Sequence, residues 1–170
     1  EKVENLQVIA EDLGFLTESV LEMVKQSGFP GMKVLQFAFD ESESSCYLPY
    51  KYEKNCVVYT GTHDNETTRG WLEGLNEHDS RFVRSYIDCE DRDLNTCVWG
   101  LIRAAHASVA DLCIIPLQDY LCLGNEARMN VPSTLGNNWK WRLRRGQLTD
   151  QILKRMRALS VLYGRFYEEG

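Results

Sequence analysis

The sequence predicts an α/β fold built on a parallel sheet with flanking helices. Three observations carry this expectation. Short continuous apolar runs, the pattern of strands buried on both faces, alternate with longer segments of helical period. The alternation repeats about four times in 170 residues, which favours parallel strands joined by crossovers. Dense polar clusters follow at once on the apolar runs, as they do where parallel strands deliver functional groups from their C-terminal ends. A complete (β/α)8 barrel needs roughly 200 residues or more, so four units make about half a barrel, or an open doubly wound sheet. With no repeat, linker or low-complexity segment, residues 1–170 are expected to form a single domain.

The first apolar run is Val8-Ile9-Ala10, and it stops at Glu11-Asp12. After Gly14, Thr17 can cap a helix that carries Val20, Leu21 and Val24 on one face and ends at Gly28 and Pro30. Met32 to Phe39 reads as a second strand, and Asp40 to Lys54 as a long loop. Asn55 to Thr60 is the third strand, followed by helical patterns over Thr67 to Leu75 and Asp79 to Ile87. Leu94 to Val109 is the longest helical pattern, with Val98, Leu101, Ile102, Ala105 and Val109 on one side. Leu112 to Ile115 is the fourth strand and stops at Pro116. Asn125 to Arg145 is a loop rich in Gly, Asn, Arg and Trp. Thr149 to Tyr163 closes the series as a helix, with Ile152, Leu153, Met156, Leu159 and Leu162 apolar.

Composition removes several classes of function. A net charge of -6 argues against non-specific binding to nucleic acid or anionic lipid. No apolar stretch approaches the roughly 20 residues that cross a bilayer, and Glu1-Lys2-Val3-Glu4-Asn5 is not a signal peptide. No Gly-rich phosphate loop follows a strand, so no nucleotide cofactor is expected. The six cysteines form no Cys-x-x-Cys pair, and the three histidines lack ligand spacing, so no metal site is expected. Free thiols in a reducing, cytoplasmic setting are the expected state, with Cys56 and Cys113 packing as small apolar groups.

The chemistry concentrates at two strand ends. Glu11 directly follows Ala10, where it either serves as a general acid in a pocket or, with Asp12, caps the following turn. Asp64 and His63 stand at the end of the third strand. Asp64 is a candidate nucleophile, metal ligand or partner for sugar hydroxyls, and His63 a candidate base or hydrogen-bond donor. The competing reading is a solvated turn in which Asp64 and Asn65 cap the helix near Thr67. Two carboxylates flanking a pocket, with aromatics nearby and no cofactor motif, suit glycoside chemistry. Trp139 and Trp141 share a loop with Asn137, Asn138 and Arg142, a sugar-contact segment or an anchor to the core. Trp71 and Trp99 lie in helical patterns and read as core. Gln118, Asp119, Glu126, Arg128 and Asn130 follow the fourth strand, with Arg128 able to pair with a site carboxylate or to form a surface ion pair.

Five segments together resemble one family. They are Ile9-Ala10-Glu11-Asp12-Leu13-Gly14, the run from Pro30 to Phe39, the run from Thr60 to Thr68, Ile115 to Asp119 with Gly124 to Asn130, and Gly136 to Arg142. In this order they are similar to the 4-α-glucanotransferases, the amylomaltases or disproportionating enzymes of the α-amylase clan. The resemblance implies the C-terminal half, strands five to eight, of a (β/α)8 barrel, so that residues 1–170 form one partial domain. It implies transfer of α-1,4-glucan segments to glucose or a glucan, with retention and without a cofactor. Glu11 then matches the general acid/base, Asp64 the transition-state stabiliser, and His63 a sugar-binding neighbour. Asn130 and Trp139 fall in segments that shape the acceptor region or support the site.

One departure follows from the same comparison. The family's nucleophilic aspartate lies in an Arg-x-Asp-His context, which this chain does not contain. A retaining mechanism without a nucleophile cannot form its covalent intermediate, so the chain alone is expected to be inactive. A partial barrel also exposes strand edges, so self-association is expected. Three competing readings are a carbohydrate-binding fragment, an α-glucan hydrolase, and a metal-dependent hydrolase using His63, Asp64 and Glu11.

Overall fold

A computed structural model describes residues 7–14, 17–39, 46–90 and 92–166. Its sheet has three parallel strands in the order β1 (Gly31–Val34), β2 (Cys56–Tyr59) and β3 (Leu112–Ile114). The predicted first strand survives as a single parallel bridge between Ala10 and Gly31. The reason is local: Ala10 N–H donates to Pro30 O at 2.9 Å, but the next contact uses a side chain, with Met32 N–H donating to Asp12 Oδ1 at 2.6 Å. A Cβ at Gly31 would collide with that carboxylate, so glycine is needed there.

Among the described residues six α-helices accompany the strands: α1 (Glu18–Ser27), α2 (Thr68–Gly74), α3 (Glu77–Tyr86), α4 (Leu94–Ala107), α5 (Leu117–Tyr120) and α6 (Asp150–Leu162). Local chemistry sets most of their starts. Thr67, Asn76, Asp93 and Thr149 side chains each accept an amide of the first turn, as N-caps do. Gly28 closes α1 in the left-handed region at φ 70°. Two expectations need correcting. The second strand ends at Val34, and Leu35–Phe39 forms a 3₁₀ helix. Winding there puts Leu35, Ala38 and Phe39 on one buried side, a spacing that an extended chain cannot bury together. Val109 lies beyond α4 and is exposed, whereas α6 forms where it is expected, with Leu159 buried. The short helix α5 was not foreseen.

The core lies between the sheet and α4. Val58 of β2 packs in one cluster with Leu101, Ile102 and Ala105, Val57 is buried on the other face of the strand, Trp71 packs at the border of the cluster and Trp99 is buried. Phe39 gathers Trp71, Phe82 and Tyr86 around it at ring distances of 6.0, 5.6 and 5.4 Å. Residues 40–45 of the predicted loop lie outside the described residues, but Tyr47, Leu48 and Tyr52 within it are buried core. Arg165 fastens the end of α4, donating to the carbonyls of His106, Ala110 and Ser108 at 2.8, 2.9 and 2.9 Å. The thiol expectation is corrected at one place: Cys89 and Cys97 are paired as a disulfide, Cα atoms 5.7 Å apart. Their proximity follows from the α3–α4 turn, which no sequence spacing reveals. Cys46, Cys56, Cys113 and Cys122 are free, and burial raises the Cys56 and Cys113 thiols to about 11. No helix among the described residues is long and apolar enough to cross a membrane.

His106 on α4 is buried, with Nε2 3.0 Å from Tyr120 Oη and Nδ1 unpartnered. Burial first, and the Arg165 charge second, lower its pKa to about 4. The unfolded chain binds this proton near pH 6.5. Stability from a neutral His106 is therefore full above about pH 6.5 and is lost as pH falls toward 4, by up to about 3 kcal/mol. Urea midpoints between these pH values should fall for the native chain and fall less for His106→Gln; equal slopes would contradict the assignment.

Candidate active site

The site is built at the C-terminal end of β2. The strand enters the loop Thr60–Thr67, and a single buried group fixes both ends of that loop. Asp119 of α5 is 1 % exposed. Its carboxylate accepts the Thr60 hydroxyl at 2.5 Å, the Thr68 amide at 2.8 Å and the Thr68 hydroxyl at 2.7 Å. Burial raises its pKa, and these three donors pull the other way. Gln36 adds a second fastening, its amide donating to Thr60 O at 3.2 Å and its Nε2 to Glu66 O at 3.0 Å. A Cβ at Gly61 would lie 2.6 Å from Gln36 Nε2, so glycine lets the loop pass.

Inside the loop, Asn65 Oδ1 accepts both the amide and the hydroxyl of Thr62 at 2.8 Å. The helix cap is Thr67, whose Oγ1 accepts Gly70 N–H at 3.1 Å. These two residues meet the turn's hydrogen-bonding needs, so Asp64 is not a cap. Its carboxylate instead accepts Asn130 Nδ2 at 2.6 Å and lies 3.4 Å from His63 Nε2. Asn130 N–H in turn donates to His63 O at 3.1 Å. Trp139 places its ring 5.1 Å from that of His63, with its backbone in the left-handed region at φ 63°. Such a φ is costly for a bulky residue and is held here by a hydrogen bond from Trp139 N–H to Met129 O at 2.6 Å.

Glu11 and Asp64 line one cleft of about 580 Å³, together with His63, Gln118, Arg128 and Met129. Asp12, the alternative at the first strand end, is consumed by its bond to Met32, which leaves Glu11 on the cleft side. Arg128 does neither of the things its charge suggested. Its Nη2 donates to the backbone oxygen of Asp64 at 2.6 Å and its Nε to Asn130 O at 2.8 Å, so it ties two backbone segments together. Nothing in the sequence separates a guanidinium that binds carbonyls from one that binds a carboxylate. Gln36 was missed outright, because it sits in what reads as an uninterrupted strand. Among the described residues no three His, Cys, Asp or Glu side chains gather as a metal site.

A family model described as 4-alpha-glucanotransferase matches residues 1–149. The chain belongs to the 4-alpha-glucanotransferase family. It is 49 % identical to a 4-alpha-glucanotransferase of Clostridium butyricum over 97 % of this chain and 34 % of that protein. It is 46 % identical to one of Synechocystis over 95 % of this chain and 32 % of that protein. Among solved structures it resembles an amylomaltase from Streptococcus agalactiae in complex with acarbose, with a TM-score of 0.90 and 32 % identity, covering 97 % of this chain and 33 % of that one. This member of the glucanotransferase family thus spans about a third of the length of the curated relatives it matches.

Asp119→Ala strands the Thr68 amide and two hydroxyls in the core. It should cost about 2–4 kcal/mol in denaturant unfolding. Asn130→Ala, half-buried at the cleft, should cost less than about 1 kcal/mol. Equal small losses would show that Asp119 does not hold the loop.

Proposed function

We propose that this chain supplies one wall of the active site of a retaining 4-α-glucanotransferase acting on α-1,4-glucan oligosaccharides. The observation that carries this reading is the convergence of Glu11 and Asp64 on one cleft. Glu11 donates its proton to the glycosidic oxygen as the C–O bond breaks. Asp64, oriented by Asn130 and His63, stabilises the positive charge that develops at the anomeric carbon. The carboxylate that bonds to that carbon comes from a part of the protein outside this chain. In the second half-reaction Glu11 takes the proton of the acceptor 4-hydroxyl as the glycosyl bond passes to that oxygen. Trp139, half-exposed against His63, offers an aromatic face to a sugar ring at the acceptor side.

Two supports stand beside the geometry. The amylomaltase of similar fold is described in complex with acarbose, which favours an oligosaccharide ligand for this cleft. Leu112 and Ile114 on β3 are 50 % and 43 % exposed, as expected of strands whose apolar side awaits a neighbour. We take the described sheet as one arc of a (β/α)8 barrel and residues 1–170 as one partial domain, closed by the rest of the protein or, in isolation, by a second copy. A cytoplasmic location is proposed on the four free cysteines, with the Cys89–Cys97 disulfide as the observation on the other side.

Incubated alone with maltotriose, the chain should release neither glucose nor longer glucans; turnover would overturn the missing-nucleophile reading. In a full-length protein that carries it, Glu11→Gln should lower kcat for transfer by about 10²- to 10⁴-fold. Unchanged transfer would remove Glu11 from the mechanism, and release of shorter glucans without longer ones would mark a hydrolase.

A further inference from the structure

A second cavity lies between α4, α6 and the turn after α3, and it shares no lining residue with the catalytic cleft. Its volume is about 380 Å³, within the range of small-molecule sites. Three arginines line it: Arg92 from the turn, Arg103 from α4 and Arg155 from α6. Among the described residues none of the three lies within 4.0 Å of a carboxylate oxygen, although Asp88 also borders the cavity.

The Arg155 and Arg103 guanidiniums are held by something other than an ion pair, and Arg92 is placed by its backbone. Arg155 sits over the Trp99 ring, 3.7 Å from its centre, and Trp99 is itself backed by Tyr120 at 5.6 Å. Arg103 Nη1 donates to Tyr163 Oη at 3.4 Å. Arg92 belongs to a turn fastened by the Cys89–Cys97 disulfide and by Arg84, whose Nη1 donates to the carbonyls of Cys89 and Arg92 at 3.3 and 3.0 Å. Burial lowers the Arg155 pKa, Cys122 pulls it back up, and the like charge of Arg103 adds a smaller lowering. Like charges gathered round a cavity repel one another, and a bound anion relieves that repulsion. Planar guanidiniums with several donors match the tetrahedral oxygens of phosphate better than they match a monovalent ion.

We propose that this groove binds a phosphate dianion, either free or carried as a monoester on a sugar. The site does not depend on the glucanotransferase reading and would stand if that reading failed.

The test is calorimetric titration of the chain, and of a full-length protein that carries it, with inorganic phosphate and separately with glucose 6-phosphate. Saturable binding is expected, tighter than about 1 mM at low salt and weaker as salt rises. Tighter binding of glucose 6-phosphate assigns a sugar phosphate, and equal affinity assigns free phosphate; both support the site. Arg92→Gln with Arg103→Gln, both at exposed positions, should weaken binding at least about 10-fold while leaving circular dichroism unchanged. Arg155→Lys, which keeps the charge but loses the planar fork, should weaken it less. Absence of saturable binding by either probe, or the same affinity in the double variant, would overturn the proposal.

Discussion

The structure turns on one buried carboxylate. Asp119 arrives on the short helix after β3 and collects the hydroxyl of Thr60 and both donors of Thr68. Those two residues are the last of the β2 exit and the first of α2, so one side chain closes the loop between them. An apolar residue at that place would leave three donors without partners inside the core, and a charge without donors would not be buried at all. The knot also joins the third strand unit to the second, because Asp119 lies after β3 while its partners lie after β2. Alignment of two adjacent strand ends, on which a shared cleft depends, is thereby set by hydrogen bonds rather than by loop length.

From this knot the rest of the site follows outward. Asn65 and Thr67 absorb the hydrogen bonds of the turn and the helix start, which frees Asp64 and His63 for the cleft. The 124–130 segment then reaches back, with Arg128 and Asn130 gripping the backbone and carboxylate of Asp64. Trp139 closes the set against His63 at the cost of a left-handed backbone. Each layer is less buried than the one beneath it. Rigidity thus sits beneath the cleft-lining groups, and exposure sits at the side of the cleft where the proposed function places a sugar.

Much of this was legible in the sequence, and the exceptions have physical causes. β2 and β3 appear where their apolar runs lie: β2 is buried on both faces and leaves an unbroken apolar record, and β3 keeps the same record although Leu112 and Ile114 are half-exposed. Helices α2, α3, α4 and α6 start at polar residues whose side chains cap them, so their boundaries were readable to within a few residues. The run from Met32 to Phe39 misled because apolar content does not distinguish a strand from a 3₁₀ turn when both are buried. Glu11 and Asp64 could be found from their places after apolar runs, and their meeting on one cleft needed the fold. The roles of Asp119, Gln36 and Arg128 are long-range hydrogen bonds, and no local pattern encodes the partner of such a bond. The Cys89–Cys97 pair and the arginine groove are likewise products of the α3–α4 turn.

If the buried knot governs the site, the Thr68 amide is its most direct reporter, since its hydrogen is held by Asp119 and not by a strand or helix partner. Amide hydrogen exchange of the folded chain, resolved by residue, measures this bond alone. The account predicts that Thr68 exchanges as slowly as Val57 and Val58 in β2, opening only with the core. Exchange of Thr68 as fast as the amide of exposed His63 would contradict it, for the loop would then move freely of the sheet that carries it.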